Sequence, residues 1–256
     1  MKILFLGTGT SSGVPLIRCD CAVCKSADPR NRRRRTSLYI RGGGVHVVVD
    51  TPPDFREQAL AYDLPRVDAV LFTHSHADHV FGLDDVRRFN TVQEEMIPAY
   101  GDPATIADLR RIFDYIGTAP QLGLYRPLID FRSVAEPFAV GGLRITPLPV
   151  RHDGKPTFGY MVQEGERRIG YVPDCAGMDD GIVAALRGAD VMILDALRHR
   201  PHRTHLTVEE SVGLLRKIRA ERSYLVHLAH DLDHVATEAA LPPNIRLSYD
   251  GLELEV

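Results

Sequence analysis

The stretch Thr73–Gly82, Thr-His-Ser-His-Ala-Asp-His-Val-Phe-Gly, constrains this chain more than any other, and it directly follows the apolar run Ala69–Phe72. Three imidazoles, His74, His76 and His79, and one carboxylate, Asp78, fall together at the end of what reads as a buried strand. Neutral imidazole and carboxylate are the ligands that suit divalent zinc, manganese or iron. In an extended segment alternate residues share a face, so His74 and His76 can meet one ion. A turn at Ala77 can then aim Asp78 and His79 at a second. The fold must therefore end a buried strand at a metal site.

With 256 residues, 44% of them hydrophobic, the chain can build one large domain or two small ones. The formal net charge of −3 exerts no global pull toward nucleic acid. No apolar run approaches the 18 or so residues of a membrane span, and the N-terminal apolar stretch is too short for a signal peptide, so a cytoplasmic location is expected. Three of the four cysteines cluster as Cys19, Cys21 and Cys24, too close to pair comfortably among themselves. Three thiolates plus a histidine from elsewhere would close a tetrahedral structural zinc site in a loop spanning residues 18–25.

Lys2–Leu6 reads as a strand ended by the glycine-punctuated turn Gly7–Gly13, where backbone can approach something closely; the signal for phosphate binding there is weak without the Lys-Ser/Thr of a P-loop. Arg30-Asn-Arg-Arg-Arg-Arg35 is the one dense basic run, and most such runs are solvated loops. Ser37–Ile40 and Val45–Val49 read as a hairpin, followed by a helix over Phe55–Ala61 with Asp54 as N-cap. Leu83–Phe89 and Ala104–Phe113 read as helices with a short strand Ile97–Tyr100 between them, and residues 117–137 as an irregular pocket wall. The second half alternates strands, at Phe138–Val140, Leu143–Leu148, Phe158–Gln163, Arg168–Val172, Val191–Asp195, Ser223–His227 and Ile245–Tyr249, with two helices. These helices cover Asp180–Arg187 and Val208–Ala220, and Thr207 and Glu210 start the latter as a capping box. Three further candidate ligands, His152, Asp174 and His227, each end an apolar strand.

The His-x-His-x-Asp-His stretch and these later ligands resemble the metallo-β-lactamase superfamily. That resemblance implies an α+β fold, an αββα four-layer sandwich of two packed β-sheets with helices outside, here as one domain over residues 1–256. It also implies a binuclear site in which His74, His76 and His152 hold one ion, Asp78, His79 and His227 the other, and Asp174 bridges them, with Asp50 supporting the metal loop. Two ions manganese or zinc, with iron also suited to these ligands, would activate water for hydrolysis. His230, in His-Leu-Ala-His, is the natural fourth ligand for the cysteines. With Cys-x-Cys-x-x-Cys, Leu148–His152 and Thr157–Tyr160, it makes the chain look like the PhnP-like branch, the phosphoribosyl cyclic phosphodiesterases.

In that branch a further histidine assists phosphate-ester cleavage, and His205 best matches its position, with His199 and His202 as pocket-rim or solvent-facing residues. His205 and Asp78 are thus the expected catalytic residues, and Asp195 is expected to orient a neighbouring ligand. Cys175 is expected to pack, and His46 and His234 to be structural or exposed. The expected partner is a small, cyclic phosphodiester of ribose or a nucleotide, with no membrane and no nucleic acid; a homodimer follows from resemblance alone. The rival readings are a tRNA 3′-processing endoribonuclease, whose long arm has no counterpart here, a thioester or lactam hydrolase, which the Cys-rich loop speaks against, and a PqqB-like cofactor-biosynthesis metalloprotein, which shares the Cys-x-Cys-x-x-Cys loop.

Overall fold

The computed structural model describes residues 1–116 and 125–256. The first strand, β1 (Lys2–Gly7), buries Ile3 and Phe5 on one face and Leu4 and Leu6 on the other. A strand covered on both faces reads as an unbroken apolar run, and it needs a packed layer on each side. On one side lies a second sheet and on the other a layer of helices.

The first sheet runs in the order β14 (Glu253–Glu255), β1, β2 (Ser37–Gly42), β3 (Val45–Val49), β4 (Ala69–Leu71), β5 (Ile97–Gly101) and β6 (Ile129–Ser133). The second runs β13 (Ile245–Leu247), β12 (Arg222–Val226), β11 (Val191–Asp195), β10 (Arg167–Val172), β9 (Lys155–Glu164), β8 (Leu143–His152) and β7 (Phe138–Val140). Both are mixed: β3 to β6 are parallel, as are β10 to β13, while the remaining pairs are antiparallel. Ile3, Val47, Val49, Tyr160, Ile169 and Ile193 belong to the apolar layer between the sheets.

Outside the first sheet, Phe55 of α1 (Phe55–Ala61), Val80 of α2 (Ala77–Val80), Phe89 of α3 (Arg87–Gln93) and Leu109 of α4 (Pro103–Ile112) pack against Leu4, Val48 and Val70. Outside the second, α5 (Asp180–Leu186) and α6 (Val208–Ile218) bury Ile182, Leu186 and Leu215 against Val172, Met192 and Leu225. A short α7 (His234–Ala239) follows β12. This is the expected αββα sandwich, and the capping box of Thr207 and Glu210 starts α6.

Four local expectations need correction. Asp54 occupies the N-cap position of α1 but makes no capping bond; its carboxylate accepts from the Arg35 backbone N–H (2.7 Å) and guanidinium (2.9 Å). The helix expected over Leu83–Phe89 divides into a 3₁₀ turn, Leu83–Val86, and α3. The wall expected over 117–137 contains β6, because Ile129 buries its side chain against Ile97 and the sheet gains a ladder; residues 117–124 lie outside the described residues. The basic run is not a solvated loop. Arg33 is 1% exposed, Arg30 pairs with Asp28, and Arg35 with Asp54.

The turn after β1 serves this same segment. A Cβ on Gly7 would lie 2.1 Å from the Arg35 carbonyl, and one on Gly9 2.8 Å from that of Arg33. The Gly9 and Thr10 amides donate to Arg34 and Leu228, so they are committed within the fold and make no phosphate cradle. No helix among the described residues is long and apolar enough to cross a membrane.

Candidate metal centre

The carboxyl ends of the parallel strands of both sheets converge on one rim, where open α/β sheets characteristically place their sites. Asp50 follows β3, His74 lies just beyond β4, Asp174 just beyond β10, Asp195 ends β11 and His227 follows β12. The antiparallel β8 ends in His152. Tertiary folding thus gathers residues separated by more than 150 positions.

His74 Nε2 lies 2.8 Å from His76 Nδ1, and His152 Nε2 lies 3.4 Å from that same nitrogen. These three form one group of converging donor atoms, and Asp78, His79 and His227 form another. In the second group His79 Nε2 is 3.3 Å and His227 Nε2 3.6 Å from Asp78 Oδ2. Asp174 lies between the groups: Oδ2 is 3.2 Å from His79 Nε2, while Oδ1 is 3.5 Å from His227 Nε2 and 3.8 Å from His152 Nε2. Ligand atoms bound about 2.1 Å from one ion sit roughly 3.0–3.5 Å apart, so most of these spacings are those of a coordination shell.

The hydrogen bonds behind the ligands set their tautomers. His79 Nδ1 donates to Asp50 Oδ2 (2.7 Å), and His152 Nδ1 to the Thr204 carbonyl (2.8 Å), which leaves each Nε2 lone pair facing the cleft. Asp50 also accepts from the backbone N–H and hydroxyl of Thr73, both at 2.8 Å, and so fixes the start of the ligand loop. Its φ of +62° is the left-handed backbone that turns β3 out of the sheet. The Nε2 atoms of His79 and His227 and Oδ2 of Asp174 are buried without a hydrogen-bond partner. Polar atoms in that condition call for a partner, and a cation supplies one.

Charge points the same way. Burial opposes a proton on His79, yet the carboxylates of Asp174, Asp78 and Asp50 outweigh it and hold the imidazole well above its ordinary pKa. Burial pushes Asp174 upward, and His227 and His79 overcome it, holding the carboxylate well below its usual range. The cleft therefore favours concentrated positive charge, and this donor set fits divalent ions.

His205 stands against the same cleft, its ring stacked on His227 with centroids 4.7 Å apart and planes at 15°. Its Nδ1 donates to Asp195 Oδ2 at 3.0 Å, and Asp195 Oδ1 lies 4.0 Å from His227 Nδ1. Burial lowers the His205 pKa. His202 is on the rim, 5.2 Å from His205 between ring centroids, whereas His199 turns outward to Glu209. Cys175 is buried and pushed up to about 12 by that burial, so its thiol packs. His234 is also buried, and His46 packs edge-on against Tyr39.

A second cluster lies apart. His230 Nδ1 is 3.4 Å from Cys19 Sγ, 3.4 Å from Cys21 Sγ and 3.8 Å from Cys24 Sγ. The N···S edge of a tetrahedron with zinc distances of about 2.3 Å to sulfur and 2.0–2.1 Å to nitrogen is roughly 3.6 Å, so these residues fit zinc. The Cys24 backbone N–H and His230 lower Cys21 to about 6, while burial raises Cys24 to about 11.

Sequence reasoning missed two supports, Thr204 and Arg33. Thr204 acts through its main-chain carbonyl, which any residue could supply, and Arg33 stood within a run that resembles a solvated patch. The only signal for Thr73 was its place immediately before His74.

The fold and this cleft of converging histidines and carboxylates are those of the metallo-β-lactamase type. The chain belongs to that family: the Beta-lactamase superfamily domain matches residues 46–228. Within it, a solved diphosphatase from the PhnP family is 40% identical, with a TM-score of 0.91 over 100% of this chain and 97% of that one. The Zn(2+)-bound PqqB of Methylobacterium extorquens is 23% identical, with a TM-score of 0.80 over 100% of both chains, and shares the fold. The octanoyltransferase of Porphyromonas gingivalis is 35% identical over 99% of this chain and 51% of its own, so the chain spans about half the length of that relative.

Proposed function

We propose that this chain is a binuclear metal-dependent phosphodiesterase acting on a small, cyclic diester of ribose or a nucleotide. His74, His76 and His152 hold one ion, Asp78, His79 and His227 the other, and Asp174 lies between them. The observation that carries this reading is Asp174, whose two oxygens each lie within 3.5 Å of an unpartnered imidazole nitrogen. The 40% identical diphosphatase of the PhnP family supports phosphate chemistry. Bound there, two divalent ions, zinc or manganese, supply Lewis-acid charge for a phosphoryl oxygen and lower the pKa of water.

The chain's own residues do the rest. Asp50 and the Thr204 carbonyl keep the Nε2 atoms of His79 and His152 as ligand atoms. Asp195 anchors His205 through Nδ1, so that the doubly protonated ring passes its Nε2 proton to the departing alkoxide oxygen. Stacking on His227 holds that ring beside the reacting ester. Cys19, Cys21, Cys24 and His230 hold a structural zinc that ties the N-terminal loop to the strand end bearing His227. The octanoyltransferase likeness covers half of that protein and carries no transferase reading to this cleft.

Elemental analysis of the purified chain, paired with hydrolysis of bis(p-nitrophenyl) phosphate and ribose cyclic phosphates under added manganese or zinc, tests the reading. About three metals per chain with diesterase turnover is the expected result. One tightly held zinc and no hydrolysis under any metal would overturn it.

A further inference from the structure

The arginines of the basic run divide by side. The backbone is extended at Arg32 and bridges to Val14 at Arg33, so alternate side chains leave on opposite sides. Arg33 turns inward, 1% exposed. Arg32 and Arg34 instead line a cavity of about 420 Å³, together with Arg35, Asp54, Tyr62 and Asp250. That volume falls in the range of small-molecule sites.

The walls are fixed by the fold. Arg33 and Val14 exchange main-chain hydrogen bonds at 2.8 and 2.9 Å, and the Arg35 Nε–H donates to the Ser11 carbonyl at 2.8 Å. The Tyr62 ring lies 6.0 Å from the Arg34 guanidinium. None of the candidate metal ligands lines this cavity, so it is separate from the metal cleft.

Its charge is not balanced from within. Asp54 accepts from the Arg35 guanidinium and backbone N–H, and Asp250 from the Thr8 hydroxyl and the Arg34 backbone N–H. Arg30 pairs with Asp28 and Arg35 with Asp54, but among the described residues neither the Arg32 nor the Arg34 guanidinium forms an ion pair. A guanidinium can give an oxyanion two parallel N–H bonds, and two of them in one concave wall concentrate positive potential.

We infer that this cavity is a second ligand site, which takes a phosphate-bearing small molecule with its phosphate between Arg32 and Arg34 and its organic part against Tyr62. The inference stands whether or not the metal cleft cleaves phosphodiesters. A lone phosphate ion would leave much of the cavity unfilled, so a phosphate ester is the better fit.

The chain contains no tryptophan, so Tyr62→Trp places a single indole reporter in the cavity. Its fluorescence is expected to respond saturably to inorganic phosphate, and to phenyl phosphate at about 2- to 10-fold lower concentration, because the phenyl ring adds an aromatic contact. Adding Arg32→Gln and Arg34→Gln should raise both apparent Kd values about 10- to 100-fold. Arg32 is exposed, and the bond from Arg34 to Asp250 is made by its main chain, so these changes should leave the fold intact. Adding His76→Ala instead, which disables the metal cleft, should leave the response unchanged. If the reporter variant does not fold, equilibrium dialysis of labelled phosphate against the native chain and its double-arginine variant makes the same comparison.

A response indifferent to the arginines, or lost with His76→Ala, would overturn the inference, because the anion would then sit elsewhere or on the metals. So would an equal response to chloride at matched ionic strength. Phenyl phosphate binding no tighter than phosphate would overturn the ester assignment. Salt-sensitive binding of RNA through Arg32 and Arg34, with no saturable response to either small probe, would make this face a nucleic-acid surface and refute the small-molecule site.

Discussion

The Arg33 guanidinium donates to the Ala229 carbonyl at 2.9 Å and to the Leu232 carbonyl at 2.7 Å, closing on both sides of His230. Asn31 accepts a further bond at 3.1 Å, and burial lowers the arginine to about 10. The fork serves two main-chain carbonyls, of which Ala229 also accepts from the Leu232 N–H at 3.3 Å. Arg33→Met is expected to destabilise the fold by about 2–4 kcal/mol in urea unfolding, because both carbonyls lose a charge-assisted bond in a dry site. Zinc held by Cys19, Cys21, Cys24 and His230 should also escape to a chelator at least about tenfold faster, as happens when the groups behind a ligand are removed.

Asp50 joins the Thr73 backbone to the His79 ring, and its 2.7 Å bond to His79 Nδ1 is much shorter than the 3.4 Å contact of the Thr73 hydroxyl with the same nitrogen. Asp50→Ala should weaken metal binding at the Asp78, His79 and His227 group about 10- to 100-fold in a metal titration, and the Cys-site zinc should be untouched. Equal losses at both sites would mean general unfolding.

His205 bonds to Asp195 and stacks on His227 but belongs to none of the apolar core clusters, so its removal should leave the fold intact. His205→Ala is expected to lower turnover about 10²–10⁴-fold with little change in melting temperature. Asp195→Asn should fall in the same direction by less, because Asp195 acts through the His205 ring.

Asp250 lies beneath the N-terminal loop, accepting from the Thr8 hydroxyl (2.8 Å) and the Arg34 backbone N–H (2.7 Å), and burial raises it to about 7. In the unfolded chain an aspartate ionises near 3.9. Between about pH 4 and 7 the folded state therefore binds more protons, and the stabilisation present below that window is lost as pH rises through it. In Asp250→Asn the amide can donate to Thr8 and its oxygen can accept from Arg34. Melting curves from pH 4 to 8 should show the native chain losing stability relative to this variant, and parallel curves would refute the assignment.

The ligand stretch His74–His79 and the apolar runs that became β1, β3, β4, β10, β11 and β12 were legible because each is a local pattern. A buried strand must be apolar, and a metal ligand must be His, Asp or Cys. The strand-end positions of His152, Asp174 and His227 could be read for the same reason. Two short segments, β6 and β14, could not, since their strand character comes from the neighbour each pairs with and not from their own residues.

What the sequence determined by itself was the superfamily, the layer order and the identities of the candidate ligands, all of which depend on residue type and spacing. What only the tertiary structure decided was which atoms face one another. Asp54 holds Arg35 instead of capping its helix, and Arg33 turns inward from a charged run. Hydrogen-bond partners and exposure depend on segments far apart in the chain, and no local pattern encodes the distance between them.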